Sequence, residues 1–231
     1  KHCVPVPRTE VKTGPTHENV REGDRVNLLD FPAPLLHEKD GGRYLGTGHL
    51  VITKDPDSDW VNVGTYRIMS QDQNTAGIYI GPGKHAYIHK QKYFEKNQPM
   101  PVNIVLGSDP LIWFAASCPV PAGISEFDFA GGLGGKPIEV IRSDITGLPY
   151  PADAEIVLEG EIRPGELKEE GPFGEWPGYY ASPKSLEPFI RVKRILHRNK
   201  PILSCANPAR PPHTLTLLRS ITRSAHVWEE L

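Results

Sequence analysis

Apolar and polar positions alternate along several short stretches of this chain, and each such stretch predicts a strand. Residues 48–53 (GHLVIT) form one, and residues 60–68 (WVNVGTYRI) form a second, rich in β-branched and aromatic side chains. Asp55, Pro56, Asp57, Ser58 and Asp59 between them make a turn, so the two predict a hairpin. Residues 76–80 predict a third strand, closed by Gly81-Pro82-Gly83. Further strands are predicted at 102–106, 137–141, 154–162 and 188–196, with a short one at 201–204. Helical patterns are fewer. Residues 84–95 predict a short helix. Leu215, Leu218, Ile221, Ala225 and Trp228 recur at helical spacing, so 214–231 predicts an amphipathic helix. Residues 111–116 are uniformly apolar and fit a buried strand or a buried helix. Residues 1–43 show no sustained period and read as irregular, with residues 26–31 packing on the body before Pro32. About nine strands with few helices predict an α+β fold that is predominantly β, a barrel or sheet with peripheral helices.

Composition narrows the function classes. The chain has 231 residues, with 26 Lys and Arg against 28 Asp and Glu, a formal net charge of −2. That balance excludes a mainly electrostatic nucleic-acid binder. No apolar run approaches the roughly 18 residues of a membrane span. The 24 prolines are about double ordinary usage, and with 22 glycines they predict shaped loops and short elements. Three cysteines, Cys3, Cys118 and Cys205, without a CxxC pair, argue against a disulfide scaffold or structural zinc. A cytoplasmic setting fits them, and the polar, Pro-rich start is no signal peptide. The first residue is Lys1, not Met, which predicts a processed or partial chain.

Four segments could carry chemistry. In Glu169-Glu170-Gly171-Pro172-Phe173-Gly174-Glu175, two carboxylates bracket a turn. Such a turn can fold Glu170 and Glu175 toward one point, where paired carboxylates divide into acid and base. The same pattern also suits a solvated acidic loop. In Trp60 to Arg67, Asn62 and Arg67 have opposite parity on a regular strand, so a bulge or twist must intervene to aim both inward. Arg offers a fork that fits a carboxylate, in a site or at a surface ion pair. His85 follows Gly81-Pro82-Gly83-Lys84 and suits a metal, a phosphate or a helix start. Ala115-Ala116-Ser117-Cys118-Pro119, followed by Glu126, lets a flat ligand approach or packs a tight core; Cys118 reads as a small hydrophobe. The glycines at 131–135 resemble a phosphate loop only loosely, lacking its Lys-Ser/Thr.

In this order, Asn62 to Arg67, Gly83-Lys84-His85, the Glu126 region, residues 151–160 and Glu170 to Glu175 resemble the UbiD family of decarboxylases, across about 46–210. The resemblance implies an FMN-binding split β-barrel at 46–210, preceded by an irregular segment at 1–45. It implies that 211–231 leads toward a C-terminal domain with no counterpart in this sequence. It implies reversible, non-oxidative decarboxylation of an aromatic or α,β-unsaturated acid, with prenylated FMN as cofactor. A divalent ion, Mn²⁺ or Mg²⁺, would be held by Asn62, His85 and Glu126, and K⁺ by the Trp60 and Ala116 carbonyls. Thr65, Arg67, Ser117, Cys118 and Pro119 would line the cofactor with those ligands. Arg67, Glu170 and Glu175 would form the catalytic network, with Arg67 on the substrate carboxylate and Glu175 as proton donor. The implied partners are a carboxylic acid, CO₂, a flavin prenyltransferase that supplies the cofactor, and other subunits of a homo- or hetero-oligomer. A plain FMN-binding barrel and a non-catalytic carboxylase subunit are the alternative readings; the first makes no use of the Arg67 network.

Overall fold

Successive residues of the central strands enter two different cores. The computed structural model describes residues 3–231. In the strand Leu50–Lys54, Val51 joins one core while Leu50 and Ile52 join the other. In Met100–Leu106, Ile104 and Leu106 face the first core and Val105 the second. In Ile156–Glu170, Ile156 and Leu158 are divided from Val157 in the same way. Strands buried on both faces read as apolar runs, which is why 102–106 stands out in the sequence.

The elements in chain order are β1 (Thr9–Glu10), β2 (Asn19–Glu22), β3 (Arg43–Gly46), β4 (Leu50–Lys54), β5 (Val61–Gly64), β6 (Ile68–Ser70), β7 (Thr75–Ile78), α1 (His85–Glu95), β8 (Met100–Leu106), α2 (Pro110–Ala116), α3 (Glu126–Gly134), β9 (Glu139–Arg142), β10 (Pro149–Pro151), β11 (Ile156–Glu170), β12 (Ser185–His197) and α4 (Thr214–Glu230). One large sheet runs β3-β6-β7-β12-β11-β8-β4-β5, and β2 adds to β12. It curls into a half-barrel around the first core. A small sheet, β1-β9-β10, joins α2 and α3 over the second core on the outer face. The fold is α+β and predominantly β, with helices at the periphery. Among the described residues no helix is long and apolar enough to cross a membrane.

Several elements differ from the sequence reading. The hairpin forms, with Val51 opposite Gly64 and Lys54 opposite Val61. Its second strand, read as continuous over 60–68, ends at Gly64; β6 starts at Ile68 between β3 and β7. Gly64 is where the chain turns away, because the Tyr66 ring folds back over it. A Cβ there would lie 2.6 Å from that ring. Residues 111–116 are helix α2. In the glycine-rich 131–135 stretch, residues 131–134 are the second half of α3 and Gly135 caps it in the left-handed conformation. Its glycines admit the N-terminal segment, since a Cβ on Gly132 would meet the Val4 carbonyl at 2.3 Å. Residues 201–204 form no strand. The Ile202 N–H donates to the Glu155 carboxylate instead of to a sheet neighbour. Within the stretch read as irregular, β1, β2 and β3 pair with the two sheets.

Candidate active site

The break between β5 and β6 aims Arg67 at the end of β11. Glu170 is the last residue of β11, and Glu175 lies beyond the Gly-Pro-Phe-Gly turn. Arg67 Nε donates to Glu170 Oε1 at 2.8 Å and Nη2 to Glu170 Oε2 at 2.6 Å, a bidentate fork. Nη1 donates to Glu175 Oε1 at 2.7 Å. The side chains are 9% (Arg67), 0% (Glu170) and 28% (Glu175) exposed, so only Glu175 has real access to solvent. The guanidinium also lies over two rings, 4.6 Å from Tyr79 and 5.1 Å from Phe173. Tyr44 on β3 donates its hydroxyl to Glu170 Oε1 at 3.0 Å. Burial works against the Arg67 charge, but the Glu170 carboxylate outweighs it and the guanidinium pKa is raised. Burial, then the Glu170 charge, pushes the Tyr44 phenol up, so it stays a donor. Sequence reasoning reached Arg67, Glu170 and Glu175 but missed Tyr44, Tyr79 and Phe173 as their neighbours. Phe173 was visible inside the turn; the other two are separated from it by about a hundred residues and carried no motif.

The second group gathers on β5. Asn62 is buried there, and its Nδ2 has no hydrogen-bond partner among the described residues. Glu126, the first residue of α3, is buried and accepts the Val63 N–H at 2.6 Å. His85 opens α1, its ring edge-on to Trp60 at 4.8 Å. Both α1 and α3 pack on β5, which brings these three residues to one strand. Burial raises Glu126 to about 7, with backbone N–H donors from Val63 and its own residue opposing. Burial, then Lys84, lowers His85. Among the described residues the candidate set thus has a buried carboxylate with no ion-pair partner, an amide with an unused polar atom and an imidazole biased to its neutral form. Among the described residues no three His, Cys, Asp or Glu side chains cluster as a metal site; this set holds two of those types and an Asn.

Thr65 lies in the β5–β6 connection. Ser117, Cys118 and Pro119 follow α2, and the Ser117 hydroxyl donates to the Trp113 carbonyl at 3.0 Å. Burial raises the Cys118 thiol to about 11, which suits a wall residue rather than a nucleophile. The Trp60 carbonyl accepts the Asp55 N–H at 3.0 Å, and Ala116 ends α2. A cavity of about 440 Å³ lies among His49, Leu50, Trp113, Cys205, His213 and Leu218, and includes none of the Arg67 trio. The converging charges at Arg67 make it a stronger candidate site than that volume.

A family model described as the 3-octaprenyl-4-hydroxybenzoate carboxy-lyase Rift-related domain, UbiD, matches residues 8–211. The chain belongs to the UbiD family. A pyrrole-2-carboxylic acid decarboxylase of Pseudomonas aeruginosa is 39% identical over 214 residues, covering 91% of this UbiD chain and 43% of the relative. The UbiD-class enzyme HmfF of Pelotomaculum thermopropionicum, solved in an evolved dimeric form with prFMN, superposes with TM-score 0.90 at 31% identity, covering 98% of this chain and 52% of that one. A vanillic acid decarboxylase of Sedimentibacter hydroxybenzoicus in closed form gives TM-score 0.85 at 38% identity, covering 90% and 45%. The chain spans about half the length of the relatives it matches.

Proposed function

We propose that this chain carries the acid–base half of a reversible, non-oxidative decarboxylase. Its substrate is an aromatic or α,β-unsaturated carboxylic acid, and its cofactor is prenylated FMN. The observation that carries the reading is one buried arginine held by two carboxylates, in a chain whose relatives are decarboxylases. A guanidinium has five N–H donors. Three of the five on Arg67 are taken by Glu170 and Glu175, which leaves one on each terminal nitrogen. We assign those two donors to the substrate carboxylate. Glu170 accepts from Arg67 twice and from Tyr44 once, so its role is to orient the arginine. Glu175 makes a single ion-pair contact through Oε1 and has partial solvent access. It can take a proton from water and deliver it to the carbon that CO₂ leaves. In the reverse direction it removes that proton.

The bound cofactor supplies the electron sink that a decarboxylation needs. Asn62, His85 and Glu126 fit a hard divalent ion, Mn²⁺ or Mg²⁺, by their mixed O and N donors and by the uncompensated burial of Glu126. Such an ion would balance a cofactor phosphate beside that carboxylate. Thr65, Ser117, Cys118 and Pro119 would wall the flavin. The Trp60 and Ala116 carbonyls would take K⁺, although Trp60 O already accepts one N–H. A flavin prenyltransferase would provide the cofactor, and the working protein would be an oligomer.

The test is to co-express the protein with a flavin prenyltransferase. The mass of the bound flavin and CO₂ release from a panel of aromatic and cinnamic-type acids are then measured. Prenylated flavin with CO₂ release supports the reading. Unprenylated FMN with diaphorase activity would replace it with a plain flavin carrier.

A further inference from the structure

Residues 37–44 grip the loop between the two carboxylates almost residue by residue. The Asp40 side chain is fully buried, at 0% exposure. Its Oδ1 accepts the Gly174 N–H at 2.8 Å and its Oδ2 accepts the His37 N–H at 2.9 Å. The Gly41 N–H donates to the Pro172 carbonyl at 2.8 Å. Tyr44 donates to Glu170 and packs its ring on Phe173 at 4.5 Å between centroids. The Lys39 N–H donates to the Tyr180 hydroxyl at 3.0 Å. The approach is too close for side chains. A Cβ on Gly41 would lie 1.8 Å from the Gly171 carbonyl oxygen, and one on Gly174 would lie 2.5 Å from the His37 ring.

No Lys or Arg pairs with Asp40 among the described residues; the nearest basic group is His37 Nδ1 at 3.5 Å. The backbone N–H groups that offset the desolvation of this carboxylate also tie the two segments together. What they fix is the residue before Glu175. Beyond it, the Glu175 N–H and carbonyl close a small turn with Tyr179 and Gly178. Glu175 therefore stands on a turn whose near end is anchored by Asp40. Glu170 receives its third hydrogen bond from Tyr44, four residues along the same segment.

We infer that residues 37–44 are a strap that sets the catalytic geometry, with Asp40 the positioning residue for Glu175 and Tyr44 the positioning residue for Glu170. The catalytic consequence rests on the decarboxylase reading; the structural consequence does not. Arg67 stays docked on Glu170 when Asp40 is removed, so substrate-carboxylate binding survives while the proton donor is misplaced.

The experiment uses the full-length, cofactor-loaded protein with Asp40→Ala and Tyr44→Phe. Amide hydrogen exchange is followed over 171–180, and kcat and KM are measured separately. Asp40→Ala should speed exchange in 171–178 by about tenfold, the scale of one hydrogen bond to a charged group, with β8, β11 and β12 unchanged. Its kcat should fall about 10- to 100-fold, with KM within about twofold. Tyr44→Phe should lower kcat about tenfold and leave exchange in the loop as it was. If Asp40→Ala does not fold, Asp40→Asn carries the test, with exchange at least about threefold faster. Wild-type exchange rates in the Asp40 variant would overturn the strap. Faster exchange with unchanged kcat would overturn its positioning role. If the unsubstituted holoenzyme releases no CO₂ from any acid, the decarboxylase reading fails, and the exchange measurement still decides the strap.

Discussion

Arg67 and Glu170 are each buried, and each is tolerable only because of the other. The pair has a bidentate geometry, and Tyr44 and two aromatic faces complete its surroundings. Removing one partner leaves an uncompensated charge in the interior. Arg67→Ala should therefore destabilise the fold by about 3–5 kcal/mol, read from urea unfolding, besides abolishing turnover. A loss below about 1 kcal/mol would mean that water reaches Glu170. Arg67→Lys keeps the charge but loses the fork, so it should fold better than Arg67→Ala and remain inactive. At this scale the sequence was informative where turn residues bracket the chemistry. Glu170 and Glu175 flank Gly171-Pro172-Phe173-Gly174; that spacing alone suits a solvated acidic loop as well as convergence, and the resemblance to the UbiD family decided between them. Asp40 and Tyr44 lie over a hundred residues away, and a lone Asp or Tyr carries no period or motif. Their roles come from tertiary contact only.

Among elements, the longer central strands were legible, while the short β1, β2, β3 and β10 and the break at Gly64 were not. Two-sided burial made β4, β8, β11 and β12 stand out as apolar or alternating runs. The break at Gly64 depends on Tyr66 folding over the glycine, which no pattern of polarity records. Parity did indicate that something must interrupt 62–67 if Asn62 and Arg67 were to act together. The glycines of α3 carried no helical signal, because their reason is a neighbouring chain segment at Val4 and Val6, not their own conformation. Gly41 is the corresponding case at the site. Gly41→Ala should push residues 171–172 away from the strap, costing about 1–3 kcal/mol of stability. Its kcat should fall further than that stability loss explains at a temperature where the variant stays folded. A crystal structure or exchange data with the 171–175 loop unmoved would refute this.

Across the whole molecule, the half-barrel fixes distant strands so that β3, β6, β7 and the end of β11 meet at the Arg67 site. The sequence predicted the class of fold but not that strand order. It predicted α4 as amphipathic, and Leu215 and Leu218 do line a cavity, while Leu217, Ile221 and Trp228 are exposed. Amphipathicity indicates that a face is apolar, not what covers it. One global property follows from His49, which is fully buried beside that cavity and bonds the Tyr66 carbonyl through Nε2 at 2.7 Å. Burial lowers its pKa from 6.5 to about 4, partly opposed by the Tyr66 bond. The unfolded chain takes up this proton near pH 6.5 and the folded chain resists it until about 4. The folded state thus loses stability relative to the unfolded one as pH falls through that window, by about 3 kcal/mol in total, and loses none of it above pH 6.5. His49→Gln keeps a donor for the Tyr66 carbonyl but cannot titrate. Its unfolding free energy should fall less than that of the wild type between pH 7 and 4.5; parallel curves would contradict the assignment.

The proposed reading has Glu175 deliver the proton while Arg67, oriented by Glu170, holds the substrate carboxylate. Its most direct test is the turnover number of Glu175→Gln in the full-length holoenzyme, at saturating substrate and matched flavin content. Turnover should fall about 100-fold or more, with KM little changed, since general-acid groups contribute on that scale. Turnover at the wild-type rate would contradict it.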